Sequence, residues 1–292
     1  NSDLFIVLTY LLTIVCWYVK NQTIAIIYYA LMVFIIILLN CNRINIVTLL
    51  MAAIINYRNT SYEGNVWIFV IAAAVIIPII MYDIFSKKVE YRNKIFLSML
   101  ILLGVNFLSL INTNTSNIGY GLVGVSQFAG FVFLFFYLIN KKQDNDYRYV
   151  AKNAAIMSLA ISIQIIIFLF NFEGDVLQKD IALGWGASNS IAITYLTLLP
   201  LVFYLYIENQ KRFDYLLLLV LNIAMIVLTL CKGAYLTIAI LIIPFLFIAY
   251  KKAANKKLLV IELLMAFVLL AGVMYSFYLV DHIREGFLKY FH

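Results

Sequence analysis

The chain has 292 residues, of which 65% are hydrophobic and 12% charged, and its formal net charge is +7. Soluble proteins are about 45–50% apolar, and a soluble domain of this size cannot bury such a surplus, so much of it is expected to contact lipid. This composition excludes a soluble enzyme, a nucleic-acid-binding protein and a secreted disulfide scaffold. It predicts a single integral membrane domain over residues 1–292.

Eleven apolar runs are candidates for membrane-spanning helices, since a helix needs about 20 residues to cross the bilayer core. The runs are continuously apolar, whereas barrel strands alternate polar and apolar positions. The prediction is therefore an all-α fold, a polytopic transmembrane helical bundle of about 10–11 spans. The runs lie at 4–19, 23–40, 44–57, 66–85, 95–112, 119–139, 150–172, 190–207, 215–230, 234–250 and 258–280.

Basic residues concentrate in alternate loops, which the positive-inside rule assigns to the cytoplasm. The short run 44–57 leaves two alternatives open. If it crosses the membrane, the N-terminus and Arg43 lie inside; if it is re-entrant, the N-terminus and Arg43 lie outside and Lys20 lies inside. Both alternatives place 15 of the 21 Lys and Arg inside, so charge does not decide between them. Residues 281–292 lie outside in both.

Few residues in the apolar runs could bind ions. The three cysteines form no CxxC pair and there are only two histidines, so we expect no metal site and no cofactor. Asp83 and Glu262 fall near cytoplasmic ends of spans and are interpreted as solvated helix ends. The lack of deeper carboxylates argues against a proton- or sodium-coupled transporter.

The external side carries the candidate substrate-binding residues. Asn189 ends a Gly-rich loop, where it either caps the following helix or contacts substrate. Lys232 lies in a tight hairpin between two spans, where it either snorkels to the interface or pairs with a lipid phosphate.

The C-terminal stretch mixes charged and aromatic residues. In it, His282 is a candidate general base, since histidine can gain or lose a proton near neutral pH, and Arg284 is a candidate for binding phosphate through its planar fork. The alternative for this stretch is an amphipathic segment that lies on the membrane surface.

Two segments give a family resemblance. They are 184–189 (GWGASN), followed by Ala192 and Pro200, and 228–234 (LTLCKGA). Their order resembles the bacterial O-antigen ligase and polysaccharide polymerase family, whose members often carry a Gly-rich stretch ending in Asn and a later Thr-x-Ser-Arg-Gly-Ala-like sequence. The specific similarity covers about 184–240.

The chain departs from this family in two ways. Cys231 and Lys232 stand where the family usually has Ser-Arg, and a lysine keeps the charge but loses the planar fork. The family's large external loop would start near residue 281 and continue past the end of this sequence.

The resemblance implies a GT-C-like bundle that catalyses metal-independent glycosyl transfer at the outer face of the bacterial plasma membrane. The donor would be a glycan on undecaprenyl pyrophosphate. Lys232 and Arg284 would clamp the leaving pyrophosphate, Asn189 would position the sugar or the loop, and His282 would be the base. The implied partners are a lipid-linked oligosaccharide, membrane lipids and other polysaccharide assembly proteins.

Two other functions fit the same composition. One is a flippase or transporter of lipid-linked oligosaccharides, and the other is a polytopic membrane protein without enzymatic activity.

Overall fold

A computed structural model describes residues 3–56, 78, 81–82, 94–109, 125, 129, 132, 146–171, 181–209, 213–253 and 255–279. Within these ranges the chain forms nine helices and no strand, which confirms the all-α prediction. The helices are α1 (Asp3–Tyr18), α2 (Gln22–Leu38), α3 (Asn45–Asn56), α4 (Lys94–Ser109), α5 (Asp146–Phe170), α6 (Ser188–Glu208), α7 (Phe213–Leu228), α8 (Lys232–Lys252) and α9 (Lys256–Tyr278).

Four of these helices, α5, α6, α8 and α9, are long and apolar enough to cross a membrane. Each has at least 21 residues, which is about 31 Å of helix and matches a bilayer core of about 30 Å. The remaining described helices are shorter, and α3 has only 12 residues. The predicted spans 66–85 and 119–139 lie almost entirely outside the described residues, so the count of 10–11 spans remains a prediction.

Side chains and tight turns close the helix ends. Lys20, Asn40 and Leu230 adopt positive φ values of 60°, 52° and 52°, the left-handed conformation that commonly ends a helix. The buried guanidinium of Arg43 donates to the carbonyls of Ile36 (2.9 Å) and Cys41 (2.8 Å). The Ile36 carbonyl also accepts from the Cys41 N–H at 2.9 Å, so Arg43 holds the turn after α2 against the last turn of this helix.

Helices α1, α3 and α5 begin at the same end of the bundle. The Lys152 ammonium lies 2.7 Å from a carboxylate oxygen of Asp3, which joins the starts of α5 and α1. Just before α3, Asn42 donates to the Asp146 carboxylate at 3.0 Å. We call this the basic end, defined by Arg43, Lys152 and the neighbouring Arg148.

The later helices can be oriented relative to the basic end, and they alternate in direction. At the end of α6, Asn209 accepts a hydrogen bond of 3.1 Å from Arg148, so α6 finishes at the basic end. Near the start of α9, Glu262 accepts a 2.5 Å hydrogen bond from Tyr206, two residues before α6 ends. Helix α9 therefore also starts at the basic end.

These contacts bear on two interpretations made from the sequence. Arg43 and the N-terminal Asp3 lie at the same end as Lys152, which agrees with the topology in which the N-terminus and Arg43 share the side of the basic loops. The solvated-end interpretation is incomplete for Glu262, because its half-buried carboxylate is hydrogen-bonded to Tyr206. Asp83 lies outside the described residues.

The packed interior lies among α1, α2, α3, α5, α6 and α7, and includes the fully buried side chains of Tyr10, Ile161 and Tyr195. The Tyr195 hydroxyl is satisfied by Ser162 Oγ at 2.8 Å. In contrast, α8 and α9 are mostly exposed and apolar on their surfaces. In a membrane such surfaces contact lipid.

Labelling of the exposed Cys41 thiol can determine on which side of the membrane the basic end lies. In a variant that keeps Cys41 and carries Cys16→Ala and Cys231→Ala, we expect a membrane-impermeant maleimide to label the protein only after the cells are permeabilised. A matched variant in which Asn189→Cys replaces Cys41 as the only thiol should be labelled in intact cells. Labelling of Cys41 in intact cells would contradict the predicted sidedness.

Candidate functional site

The segment 181–187 folds into a compact loop at the end of the bundle opposite the basic end. The Leu183 N–H donates to the Gly186 carbonyl at 3.1 Å, and Ala182 and Ala187 form an isolated antiparallel bridge. Gly184 adopts a φ of 89°, a conformation that glycine tolerates and other residues rarely adopt. The shape of the loop therefore favours a glycine where Gly184 stands.

Two tryptophan side chains anchor this loop to the helices. The indole N–H of Trp17, at the end of α1, donates to the Leu183 carbonyl at 2.9 Å. The indole N–H of Trp185 donates to the side-chain oxygen of Gln164 on α5 at 3.0 Å. The loop is thus held from two sides, and we call this end of the bundle the loop end.

Gln164 connects the loop to a third helix. Its amide nitrogen donates to the Ile55 carbonyl at 2.9 Å, and the Gln164 side chain is fully buried. Helix α3 ends at Asn56, so the Ile55 carbonyl is among those that lack an intrahelical partner. Gln164 therefore satisfies the end of α3 and fixes Trp185 with the two ends of one amide group.

The structure places Asn189 in the first turn of α6, where its side chain is exposed. The cap position is occupied by Ala187, which makes no side-chain hydrogen bond. The capping interpretation of Asn189 is therefore wrong, since the helix begins before this residue. Its exposure leaves the amide accessible at the loop end, and its predicted contact with substrate stays a prediction.

Lys232 is the first residue of α8, directly after the turn that ends α7, and its side chain is exposed. Helix α7 packs against α6 and follows it after a short connection, so the turn returns to the loop end. The Tyr235 hydroxyl donates to the Val227 carbonyl at 2.6 Å and braces this turn.

Three of the described helices start at the loop end: α2, whose first turn is capped by the Asn21 side chain, and α6 and α8, whose cap residues make no side-chain hydrogen bond. The first N–H groups of a helix have no intrahelical partner and carry partial positive charge, so such starts favour anions. Lys232 adds a formal positive charge at one of them. This combination suits a negatively charged group such as a phosphate.

His282 and Arg284 lie outside the described residues, so their assignments as base and second clamp stay predictions. The structure brings Asn189 and Lys232 to the same end of the bundle. In the part of the chain that the structure describes, no cluster of three His, Cys, Asp or Glu is arranged to hold a metal ion.

Gln164 organises the loop but was not among the site residues predicted from the sequence. The available signal was a lone amide side chain inside the apolar run 150–172, since polar side chains within a membrane helix usually face protein partners. The pattern did not identify those partners, because Trp185 and Ile55 are distant in sequence from Gln164. Trp17 lies at the end of the apolar run 4–19, and the sequence likewise gave no sign of its contact with the loop.

Comparisons of this chain with protein families, with curated proteins and with solved structures give no match. The family resemblance therefore rests on the residues quoted from 184–240. What the structure contributes is the position of these residues in the bundle.

The Gln164 bridge can be tested through stability. The Gln164→Leu variant leaves the Trp185 N–H and the Ile55 carbonyl without partners, so we expect it to lose about 1 kcal/mol or more of stability. Thermal unfolding in detergent should show a lower melting temperature. The control Thr194→Val removes an exposed hydroxyl that bonds only to its own helix and should leave the melting temperature nearly unchanged.

A second substitution distinguishes the bridge from general packing. In the Gln164→Leu background, Trp185→Phe removes the unpaired indole donor, so it should cost less than it does in the wild-type protein. Strictly additive losses from the two substitutions would contradict the hydrogen bond between Trp185 and Gln164.

Proposed function

We propose that the chain joins glycan units carried on undecaprenyl pyrophosphate, as a polymerase or ligase at the outer face of the bacterial plasma membrane. One observation carries the proposal. The two segments that resemble this family, 184–189 and 228–234, lie at the same end of the bundle, and each leads into the start of a helix. That end is opposite the basic end, which the positive-inside rule assigns to the cytoplasm.

The reaction has a simple balance. An acceptor sugar hydroxyl oxygen attacks the anomeric carbon of the donor and forms the new glycosidic bond. The bond between that carbon and the pyrophosphate oxygen breaks, and undecaprenyl pyrophosphate leaves with the bonding electrons. The hydroxyl proton passes to a base, a role for which His282 is the candidate.

Lys232 is suited to stabilise the leaving group. Negative charge grows on the pyrophosphate as the glycosidic bond to it breaks, and a fixed cation close to this charge lowers the barrier. The ammonium of Lys232 and the N–H groups at the start of α8 supply such stabilisation together. Arg284 is proposed as the second cation of this clamp.

The surface of α8 below Lys232 supports a lipid-linked substrate. Leu236, Ile240, Ile243 and Phe247 follow Lys232 at helical spacing and are each at least 60% exposed. They form an apolar stripe that begins at the cation and continues along a helix long enough to cross a membrane. A polyprenyl chain can lie on this stripe while its pyrophosphate remains at Lys232.

Asn189 and the anchored loop are suited to bind the sugar. The Asn189 amide can both donate and accept hydrogen bonds, as sugar hydroxyl groups require. Because Trp17 and Gln164 hold the loop in place, little flexibility has to be lost when a sugar binds.

The test is the length of surface glycan chains in cells that depend on this protein. We expect Lys232→Ala to leave mostly single repeat units and Lys232→Arg to retain long chains, because arginine preserves the charge. Lys257→Ala is the matched control, since Lys257 is an exposed cation in the first turn of α9, which starts at the basic end, and it should leave chain length unchanged.

Normal chain length in the Lys232→Ala variant would overturn the assignment of Lys232. Accumulation of lipid-linked units on the cytoplasmic face would instead support the flippase alternative.

A further inference from the structure

The connection between α8 and α9 places exposed lysines at the basic end. Helix α8 starts at the loop end and finishes at the basic end, where α9 begins. Lys251 lies in the last turn of α8 and Lys256 is the first residue of α9, and both side chains are exposed. We call this connection the lysine corner, defined by Tyr250, Lys251 and Lys256.

An aromatic ring positions one of these cations. The Lys256 ammonium lies over the ring of Tyr250, 4.4 Å from its centroid, and the ring face attracts the charge. Because Tyr250 directly precedes Lys251, this contact brings the cation at the start of α9 towards the end of α8. A lysine ammonium has three N–H donors, so Lys256 is still able to bind an anion.

The charge of the lysine corner is not used to hold helices together. Elsewhere at the basic end Lys152 pairs with Asp3 at 2.7 Å, whereas the two corner lysines form no ion pair within the described ranges. The carboxylate of Glu262 on α9 is directed to α6, where it accepts a hydrogen bond from Tyr206. The corner therefore presents two formal positive charges to a partner outside the described bundle.

These charges belong to side chains rather than to the start of α9. The side-chain oxygen of Asn255 accepts hydrogen bonds from the backbone N–H groups of Lys257 at 3.0 Å and Leu258 at 3.3 Å. Asn255 thus occupies two of the N–H groups that a helix start could offer to an anion. An anion at this corner has to be bound by the lysine ammonium groups.

Exposed apolar side chains continue from the lysine corner along both helices. Four of them, each at least 41% exposed, are Ile242 and Leu246, which precede Tyr250 at helical spacing, and Val260 and Phe267, which follow Lys256. Both helices are long and apolar enough to cross a membrane. The corner is therefore positive at the membrane surface and apolar at the depth of the acyl chains.

We propose that the lysine corner binds an anionic phospholipid, such as phosphatidylglycerol, in the leaflet at the basic end. The lipid phosphate accepts hydrogen bonds from Lys251 and Lys256. One acyl chain lies along the exposed face of α8 and the other along that of α9. The bound lipid bridges these two helices, which pack mainly against α6 and α7 rather than against each other.

Charge separates this lipid from zwitterionic phospholipids. Phosphatidylglycerol brings a net negative charge to a corner with two cations, and lysines next to a membrane attract such lipids. Phosphatidylethanolamine and phosphatidylcholine also carry a cationic group, which the lysines repel. Inorganic phosphate has the charge but no acyl chains, so it gains nothing from the apolar faces.

This site is independent of the proposed glycan transfer, since it uses no residue of the loop end. The stripe on α8 that is proposed for the polyprenyl chain also consists of other residues. Failure of the lipid experiment would leave the glycan-chain test unaffected, and the reverse also holds.

The experiment uses the purified full chain in detergent with phosphatidylglycerol, phosphatidylethanolamine, phosphatidylcholine or inorganic phosphate. Native mass spectrometry measures bound lipid, and thermal unfolding measures stabilisation. We expect phosphatidylglycerol to bind roughly tenfold more tightly than either zwitterionic lipid, since each lysine near an anionic lipid contributes about fivefold. It should also raise the melting temperature most, and inorganic phosphate should leave the melting temperature unchanged.

Single substitutions locate the binding. Lys256→Gln and Lys251→Gln should each lower the affinity for phosphatidylglycerol about fivefold, and Lys256→Arg should retain it because the charge is preserved. The matched control Lys20→Gln removes an exposed lysine at the loop end and should also retain it. Melting temperatures measured without lipid identify a misfolded variant, and either glutamine variant is sufficient for the test.

Equal binding of phosphatidylglycerol and phosphatidylethanolamine would overturn the proposal, because it would indicate bulk lipid around the bundle. Equal stabilisation by inorganic phosphate would overturn the role of the acyl chains. Unchanged affinity in both glutamine variants, or an equal loss in Lys20→Gln, would show that the lysine corner is not the site.

Discussion

The bilayer core contains no water that could satisfy polar groups, so each helix end buried at that depth must find its partner within the protein. In this chain that requirement determines the position of the candidate site. The clearest case is α3, which stops after 12 residues and leaves the Ile55 carbonyl to be satisfied by Gln164. The same amide holds Trp185, so the end of a short helix and the loop are fixed by one side chain.

This constraint gives the two ends of the bundle different chemistry. At the basic end, carboxylates and cations pair between helices, as Asp3 does with Lys152. At the loop end, hydrogen bonds from tryptophan and glutamine side chains hold a compact loop beside the start of α6. Lys232 lies at this second end, as the first residue of α8.

The sequence was sufficient to locate the described helices but not their contacts. Helix α6 was predicted at 190–207 and spans Ser188–Glu208, because a long apolar run is a strong signal in a membrane protein. Because of that boundary difference of two residues, Asn189 lies in the first turn of the helix, so capping, one of its two predicted roles, does not apply. Contacts such as that between Trp17 and Leu183 depend on tertiary packing, and hydropathy does not encode them. The sequence predicted that Asn189 and Lys232 share the external side, and in the structure both lie at the loop end. Arg284 and His282 fall outside the described residues.

We propose that this chain itself forms glycosidic bonds at the loop end. The most direct measurement uses the purified protein in proteoliposomes with undecaprenyl-pyrophosphate-linked glycan units and no other protein. The account predicts longer lipid-linked chains, with one undecaprenyl pyrophosphate released for each bond formed. Movement of intact units across the bilayer without any bond formation would contradict it.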